Sequence, residues 1–325
     1  MLIYIQIYHL FLQKDVKEKI KIMILEKINN SYIYYDDEYS FITKEYYVYC
    51  TNLFKEYLDN NTCNLNINFG NTFFNFNNNN KTLNVTTQFE HTLVKSGGRG
   101  ITNEPKGKIP IEDNFYHVRI ADYDRLNKND IIIEYSLPNI ENVSTSGLFN
   151  EYSDKLIYIS ALLYKYEQPV MTGREINCVT LFYNIYEYRR KILLDNIKIR
   201  NINSINITNC FTSQNLKYLY SKTKILLNIR QTDHHHTFEE LRVLPALLNG
   251  VIVISEDVPL RELIPYNEFI IWCKYDSILD TMKEVEKNYE YYWNKIFTGD
   301  KLKNILENMG TNNKENIYKI IEKNI

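Results

Sequence analysis

The second half of the chain alternates short apolar runs with amphipathic stretches. Continuous apolar runs predict buried strands, and apolar spacing of three to four residues predicts helices. Strands that are apolar throughout and joined by helices are typical of a parallel sheet covered on both faces, so this half is predicted to be a doubly wound α/β domain. The predicted strands are 178–184, 202–208, 224–229, 251–256 and 269–273, and the predicted helices are 187–197, 213–222, 237–250, a short one near 258–264, and 277–293.

The first half is less regular but similar in kind. Its predicted strands are 2–8, 64–69, 83–88, 115–121, 130–136 and 155–160, with helices near 15–29 and 43–58. The segment 164–177 contains Pro169 and Gly173 and lacks periodicity, so it is the predicted boundary. We expect an N-terminal domain at 1–165, a second α/β domain at 170–298, and a helical tail at 299–325. One possible arrangement of the tail is to pack back on the first domain. Two such domains suggest a cleft, with ligands at the carboxyl ends of the strands.

Composition excludes several classes of function. The 325 residues carry a formal net charge of -2, so no overall basic field attracts nucleic acid or an anionic membrane. Five widely spaced cysteines without a C-x-x-C pair indicate a reducing compartment. No apolar run is long enough to cross a bilayer. These features predict a soluble protein of the cytoplasm. The excess of Asn, Ile, Lys and Tyr indicates an AT-rich gene.

The stretch QTDHHHTFEELR (231–242) is the main candidate for chemistry. It follows a predicted strand, and Thr237 with Glu240 has the S/T-x-x-E spacing of a helix-capping box. Its loop is therefore expected above a helix N-terminus, where phosphates bind. Zinc is disfavoured because adjacent histidines point in different directions and no i, i+4 pair or nearby cysteine is present. A surface loop that merely carries histidines is the alternative.

Three charged residues around this stretch suggest a ligand. Glu239 and Arg242 lie three residues apart and share a helix face, either as a surface ion pair or as groups that grip a diphosphate or ribose. Glu256 ends the next strand, where an acidic residue commonly accepts from ribose hydroxyls in doubly wound folds.

The stretch from residue 224 to 265 resembles the nucleotide-sugar-binding half of GT-B glycosyltransferases of the group 1 and family 4-like set. That set carries a strand ending in LN, a variable loop, E-x-x-R-x-x-x-A-L-x-x-G and then x-V-I-S-E. The clear resemblance covers about 175 to 295, and the segments EHTLVKSGGRG (90–100) and IIIEYSLPNIENV (131–143) are similar to those of glycosyltransferases encoded by giant DNA viruses. The matching positions here are Glu239, Arg242, Ala246, Leu247, Gly250, Ser255 and Glu256.

The resemblance implies two Rossmann-like domains that face each other across a cleft, the first on the acceptor side and the second binding the nucleotide sugar. It also implies a transferase that moves a sugar from a nucleotide-diphosphate sugar to a glycan, protein or small-molecule acceptor, without a metal or other cofactor, in the host cytoplasm if the protein is viral. His91 and Glu239 are then the catalytic candidates. The donor-binding candidates are Arg230, His234, His235, His236, Thr237, Arg242 and Glu256, with Arg189 or Arg190 as further basic groups, and the acceptor-side or phosphate loop holds Lys95, Gly97, Gly98 and Arg99.

Several alternatives stay open at this point. The strict E-x7-E motif of retaining members is absent, because Thr237 and Pro245 stand at its positions, so the stereochemical outcome is undetermined. Asp122 and Asp124 form a D-x-D of the kind that holds a metal in another glycosyltransferase architecture. Glu134 ends a predicted strand and is placed to reach the cleft. A nucleotide-sugar epimerase on the same fold and a non-catalytic glycan- or nucleotide-binding protein are the rival functions, and the oligomeric state is not predicted.

Overall fold

The protein has an α/β fold with two mainly parallel sheets and one small antiparallel sheet. The computed structural model describes residues 23–36, 42–59, 63–69, 82–95, 106–111, 114–182, 185–208 and 213–323. The strands are β1 (Met23–Ile28), β2 (Ser31–Asp36), β3 (Leu65–Phe69), β4 (Leu83–Gln88), β5 (Leu93–Lys95), β6 (Lys106–Ile111), β7 (Asn114–Arg119), β8 (Ile131–Glu134), β9 (Leu156–Tyr158), β10 (Ile176–Thr180), β11 (Ser204–Asn206), β12 (Thr223–Asn228), β13 (Ile252–Glu256) and β14 (Ile270–Cys273). The helices are α1 (Ile42–Leu58), α2 (Tyr123–Leu126), α3 (Leu137–Thr145), α4 (Asn150–Ser153), α5 (Tyr188–Ile199), α6 (Ser213–Lys222), α7 (Glu240–Leu248), α8 (Ile278–Lys287), α9 (Tyr289–Phe297) and α10 (Lys301–Glu322).

The first sheet has the order β1-β2-β3-β4-β8-β9, and all its neighbouring strands are parallel except the β1–β2 pair. The predicted helix near 15–29 is wrong over 23–28, because these residues pair with β2 from Met23 opposite Asp36 to Ile28 opposite Ser31. Asn29 has a φ of 52° in the two-residue connection, a left-handed conformation that suits a tight hairpin. Cross-strand pairing thus overrides a local pattern compatible with a helix. The predicted strand at 2–8 lies outside the described residues.

The second sheet is wholly parallel in the order β11-β10-β12-β13-β14, which confirms the predicted α/β fold of the second half. Its two central strands, β12 and β13, are buried almost throughout, as expected for strands covered on both faces. The predicted helix at 277–293 is divided into α8 and α9 at Asn288, whose φ and ψ of -112° and 33° interrupt the helix. The short helix near 258–264 is a single 3-10 turn at Arg261–Leu263.

The helix that follows the histidine loop starts later than predicted. Its N-cap residue is Glu239 and its first residue is Glu240, so the capping box predicted at Thr237 is wrong. Thr237 belongs to the loop because Phe238 next to it is buried against Trp272, with ring centroids 4.9 Å apart. The predicted end is confirmed, since Gly250 has a φ of 75° just after α7.

The tail is one helix, α10, which contacts elements of the first half. Buried Asn313 accepts from the backbone N–H of Ser160 at 2.8 Å and donates to the Tyr49 hydroxyl at 2.7 Å. Buried apolar residues of both parallel sheets belong to one continuous cluster. The division into domains near 165–170 stays a prediction. Among the helices of the described ranges, none is long and apolar enough to cross a membrane.

Candidate functional site

The histidine loop is held by backbone pairing with the small antiparallel sheet. This sheet has the order β5-β7-β6, and the loop extends it beyond β5. The N–H of Lys95 donates to the carbonyl of His234 at 2.8 Å, and the N–H of His236 donates to the carbonyl of Leu93 at 3.2 Å. The loop that follows β12 in the second half is therefore anchored to a strand from the first half. Pattern analysis missed this pairing because the two segments lie far apart in the chain.

The histidine side chains make separate contacts. The Nδ1 atom of His235 lies 2.8 Å from the Thr232 hydroxyl, whereas the Nε2 atom of His236 lies 3.0 Å from the carbonyl oxygen of Asp233. Burial lowers the pKa of both His235 and His236 to about 4, and neighbouring positive charges add to this effect, so both rings are neutral near pH 7. Within the described ranges, no group of three or more His, Cys, Asp or Glu side chains is arranged to hold a metal.

Glu256 holds two arginines at the carboxyl end of β13. Its Oε1 atom accepts from Arg189 Nη2 at 2.6 Å and also from Arg230 Nη2. Its Oε2 atom accepts from Arg189 Nη1 at 3.0 Å and from the backbone N–H of Arg230 at 3.1 Å. Burial alone would raise the pKa of Glu256, but these hydrogen bonds and charges lower it. Both oxygens are fully engaged, so the predicted ribose contact requires one of these bonds to be exchanged and stays a prediction.

Arg189 and Arg230 are further fixed by their surroundings. The Nε atom of Arg189 lies 2.6 Å from Oδ1 of exposed Asp233, and its guanidinium stacks over the ring of Tyr275 at 4.3 Å. Arg230 contacts His236 through Nη1. A neutral imidazole nitrogen accepts a hydrogen bond from a guanidinium, which is consistent with the low pKa of His236.

A second group of charges surrounds Glu239 at the start of α7. Its Oε2 atom lies 3.7 Å from Arg242 Nη2, and its Oε1 atom lies 3.2 Å from His91 Nε2. Burial acts to raise the pKa of Glu239, but the charges of Arg242, His91 and Arg190 hold it well below its usual range. The shared face predicted for Glu239 and Arg242 is confirmed. His91 comes from the first half of the chain and the other three residues come from the second.

Several donors in this region are buried without a partner among the described residues. They are Nε and Nη1 of Arg242, Nε of Arg190, Nε of Arg230 and the Thr237 hydroxyl. Burial lowers the pKa of Arg190 to about 10, and the charge of Arg242 adds to the effect. Buried polar groups are normally hydrogen-bonded, so unpaired guanidinium N–H groups indicate a place for an acceptor.

Arginine side chains are concentrated in this region. Four arginines, at positions 189, 190, 230 and 242, lie near four carboxylates, those of Glu187, Glu239, Glu256 and exposed Asp233. The guanidinium groups lie at the carboxyl ends of β12 and β13 and beside the first turn of α7. Guanidinium groups and a helix N-terminus are two of the means by which proteins bind phosphate groups without a metal.

His91 has one ring nitrogen engaged and one free. Nε2 faces the Glu239 carboxylate, and Nδ1 is buried without a partner among the described residues. The ring centroid lies 5.7 Å from that of His235. Because an ionised carboxylate only accepts hydrogen bonds, Nε2 carries a proton, and in the neutral tautomer of the ring the lone pair is on Nδ1.

A pair of buried glutamates lies behind this site. The Oε1 atom of Glu134 accepts from Ser136 N at 3.0 Å and from Asn139 Nδ2 at 3.1 Å. Glu240 accepts from the Tyr266 hydroxyl at 3.0 Å. Burial raises the pKa of Glu134 to about 8 and that of Glu240 to about 7, and the Glu240 charge contributes to the shift at Glu134. Both therefore carry a proton for much of the time near neutral pH.

The sequence contained a signal for one of these two glutamates. Glu240 shares a helix face with Val243, Leu244 and Leu247, all of which are buried, so the apolar spacing of α7 already placed Glu240 inside.

The remaining candidates are less involved with the site. The side chain of Lys95 is exposed at the end of β5, and Gly97, Gly98 and Arg99 lie outside the described residues. Asp122 of the D-x-D pairs with Arg125, with Oδ2 2.8 Å from Nε, at the start of the four-residue helix α2.

Comparison with known proteins gives distant similarities. No known family profile matches the chain. An uncharacterized protein of Acanthamoeba polyphaga mimivirus is 29% identical over 194 residues, which are 58% of this chain and 65% of that protein. A second uncharacterized protein of the same virus is 26% identical over 170 residues, 50% of this chain and 53% of that protein. The chain thus spans between half and two thirds of the length of these viral relatives.

Two solved structures are also similar at low identity. The crystal structure of TarM matches over 79% of this chain and 52% of its own, with 11% identity and a TM-score of 0.41. The structure of a variant of the wall teichoic acid polymerase TagF matches over 80% of this chain and 76% of its own, with 10% identity and a TM-score of 0.32.

Proposed function

We propose that this protein is a viral glycosyltransferase of the GT-B type, which moves a sugar from a nucleotide-diphosphate sugar to an acceptor hydroxyl without a metal ion. The observation that carries the proposal is the set of buried arginine N–H groups without acceptors at the carboxyl ends of β12 and β13. The resemblance of 224–265 to the donor-binding half of these enzymes supports it. The donor is assigned to the second half of the chain and the acceptor to the first.

In the proposed site, Arg242 and Arg190 bind the diphosphate and stabilise the negative charge that develops as it leaves. Arg189 and Arg230 are held in place by Glu256 and add to the positive potential. Such fixed cations stabilise a departing phosphate without the help of a metal. Arginine pairs with phosphate through two parallel N–H groups, which gives this set of residues geometric specificity as well as charge.

His91 and Glu239 have the proposed catalytic roles. The acceptor oxygen attacks the anomeric carbon as the bond between that carbon and the donor phosphate oxygen breaks. The proton of the acceptor hydroxyl goes to Nδ1 of His91. Glu239 accepts from Nε2 and stabilises the positive charge that His91 gains. The arrangement of nucleophile, base and orienting carboxylate is the one that activates hydroxyl groups in other enzymes.

The test is turnover of UDP-, GDP- and dTDP-sugars by the full chain in the presence of EDTA. Release of free nucleoside diphosphate is expected, and binding of a donor is expected to raise the melting temperature. An epimerised nucleotide sugar would identify an epimerase, and saturable binding without turnover would identify a binding protein. Activity lost in EDTA and restored by Mn²⁺ would refute the metal-independent mechanism.

A variant test addresses the arginines. Arg242→Ala is expected to weaken donor binding or turnover at least tenfold, because hydrogen bonds to charged groups contribute about 1.5–3 kcal/mol. Arg200→Ala is the matched control, since Arg200 pairs with Asp280 outside the site. Equal kinetics for both variants would remove Arg242 from the donor site.

A further inference from the structure

A groove between α10 and the first sheet has a lining unlike the arginine site. It consists of two adjoining cavities of about 590 and 600 Å³, which share Tyr158, Asn316 and Lys319. The first half contributes Leu137 and the β9 residues Leu156, Ile157 and Tyr158, whereas the remaining wall comes from α10 and Pro265. The groove is thus open to solvent, large enough for a ligand of several rings, and separate from the four arginines.

One face of α10 presents a row of side-chain amides to this groove. Asn308, Asn312 and Asn316 are spaced four residues apart, so they lie on neighbouring turns along about 12 Å of the helix. Asn316 donates to the carbonyl of Tyr158 at 2.7 Å and accepts from Lys319 at 3.1 Å. The exposed side chains of Asn308 and Asn312 make no hydrogen bond to any residue in the described ranges.

Asparagine is a poor residue for the middle of a helix, because its side chain competes for backbone hydrogen bonds. The nearby Asn313 has a structural reason for its place, since it is fully buried and bonded to Ser160 and Tyr49. Asn308 and Asn312 have no such reason within the described structure. Their free amides leave donors and acceptors available to a ligand.

The remaining lining narrows the class of ligand. Glu315 and Glu322 are balanced by Lys319 and Lys323, so the groove has no net charge and does not select an anion. Apolar surface is supplied by Leu137, Pro265, Ile305 and Met309. Free amides above an apolar floor match a neutral molecule with many hydroxyl groups and apolar C–H faces, since each amide both donates to and accepts from hydroxyls.

We propose that this groove binds a linear, neutral oligosaccharide, as part of an extended acceptor held away from the reacting bond. The role of this oligosaccharide as an acceptor rests on the proposed glycosyltransfer. Its binding in the groove does not depend on that proposal. Asn308 and Asn312 are then residues that determine acceptor affinity, and they have no part in the chemical step.

The experiment is titration calorimetry of the full chain with hexasaccharides of glucose, mannose and N-acetylglucosamine, in the absence of nucleotide. At least one hexasaccharide is expected to bind. The double variant Asn308→Ala/Asn312→Ala is expected to weaken it at least tenfold, and to fold normally because alanine favours a helix. Asn304→Ala is the matched control, as Asn304 is exposed one turn earlier on α10 and lines neither cavity.

The outcomes separate this inference from the proposed function. Absence of binding by every hexasaccharide, or equal binding by the double variant, overturns the groove assignment even if donor turnover persists. Binding that depends on both asparagines supports it even if no donor is turned over, in which case the transferase proposal fails alone. In an active enzyme, the double variant is expected to raise the acceptor KM with an unchanged kcat.

Discussion

Replacing Glu240 by glutamine is expected to stabilise the protein at neutral and alkaline pH. The carboxyl group is buried, and its Oε2 atom accepts from the Tyr266 hydroxyl. Burial raises its pKa to about 7. Glutamine has the same shape and can accept from Tyr266, but it never acquires the charge that burial disfavours.

The size of the effect follows from the difference in proton binding. The carboxyl has a pKa of 4.5 when unfolded and about 7 when folded. As pH rises from 4.5 to 7, the unfolded chain releases this proton while the folded chain retains it, so the free energy of unfolding falls. The full loss, reached above pH 7, is about 3.5 kcal/mol at about 1.4 kcal/mol per pH unit. Between pH 5 and pH 8 this group lowers the free energy of unfolding of the parent chain by about 2.5 kcal/mol. The Glu240→Gln variant should not show this decrease.

The assay is urea unfolding of the parent chain and the variant at pH 5, 6, 7 and 8. The stability difference in favour of Glu240→Gln should grow by about 2.5 kcal/mol over this range. Glu134, whose pKa is about 8, contributes a further slope, which is smaller in Glu240→Gln because the Glu240 charge helps to raise that pKa. Glu290→Gln, an exposed change on α9, should give a constant difference. Parallel stability curves for the parent and Glu240→Gln would refute burial as the cause of the raised pKa.

Two further substitutions test the packing of the segment 164–177 against the second half. Gly250→Ala should destabilise by about 2–4 kcal/mol in urea unfolding, because its Cβ would lie 2.4 Å from Pro169 Cβ at a φ of 75°; Gly147→Ala, at a φ of 67° with open space around it, should lose only about 1 kcal/mol. Arg174→Met should lower the melting temperature by several degrees, because Arg174 donates to the carbonyls of Val170, Tyr220, Thr223 and Asn249, and an unchanged melting temperature would contradict this role.

The sequence predicted the second sheet well because its central strands, β12 and β13, are buried on both faces and therefore mostly apolar. The prediction from the sequence failed where the structure depends on a turn or on contacts between residues that are not close in the chain. Residues 23–28 are a strand because they pair with β2, and α7 begins after Thr237 because Phe238 is drawn into the core.

The same distinction holds within the site. The Glu239–Arg242 pair was predictable because the two residues are three positions apart at the start of α7. The sequence predicted Arg189 or Arg190 only as further basic groups, and both are buried. Their burial depends on partners such as Glu256, which lies 67 residues from Arg189 along the chain. Local periodicity contains no information about such a pair.

The pairing of the histidine loop with β5 has a consequence for how this site can change. The loop is positioned by main-chain atoms of Leu93, Lys95, His234 and His236. Every residue type provides the accepting carbonyl group, and every type except proline provides the donating N–H group. The side chains at 234 and 235 can therefore be exchanged without loss of the loop's path. A scaffold of this kind allows these two side chains to vary while the loop keeps its place beside Arg189 and Arg230.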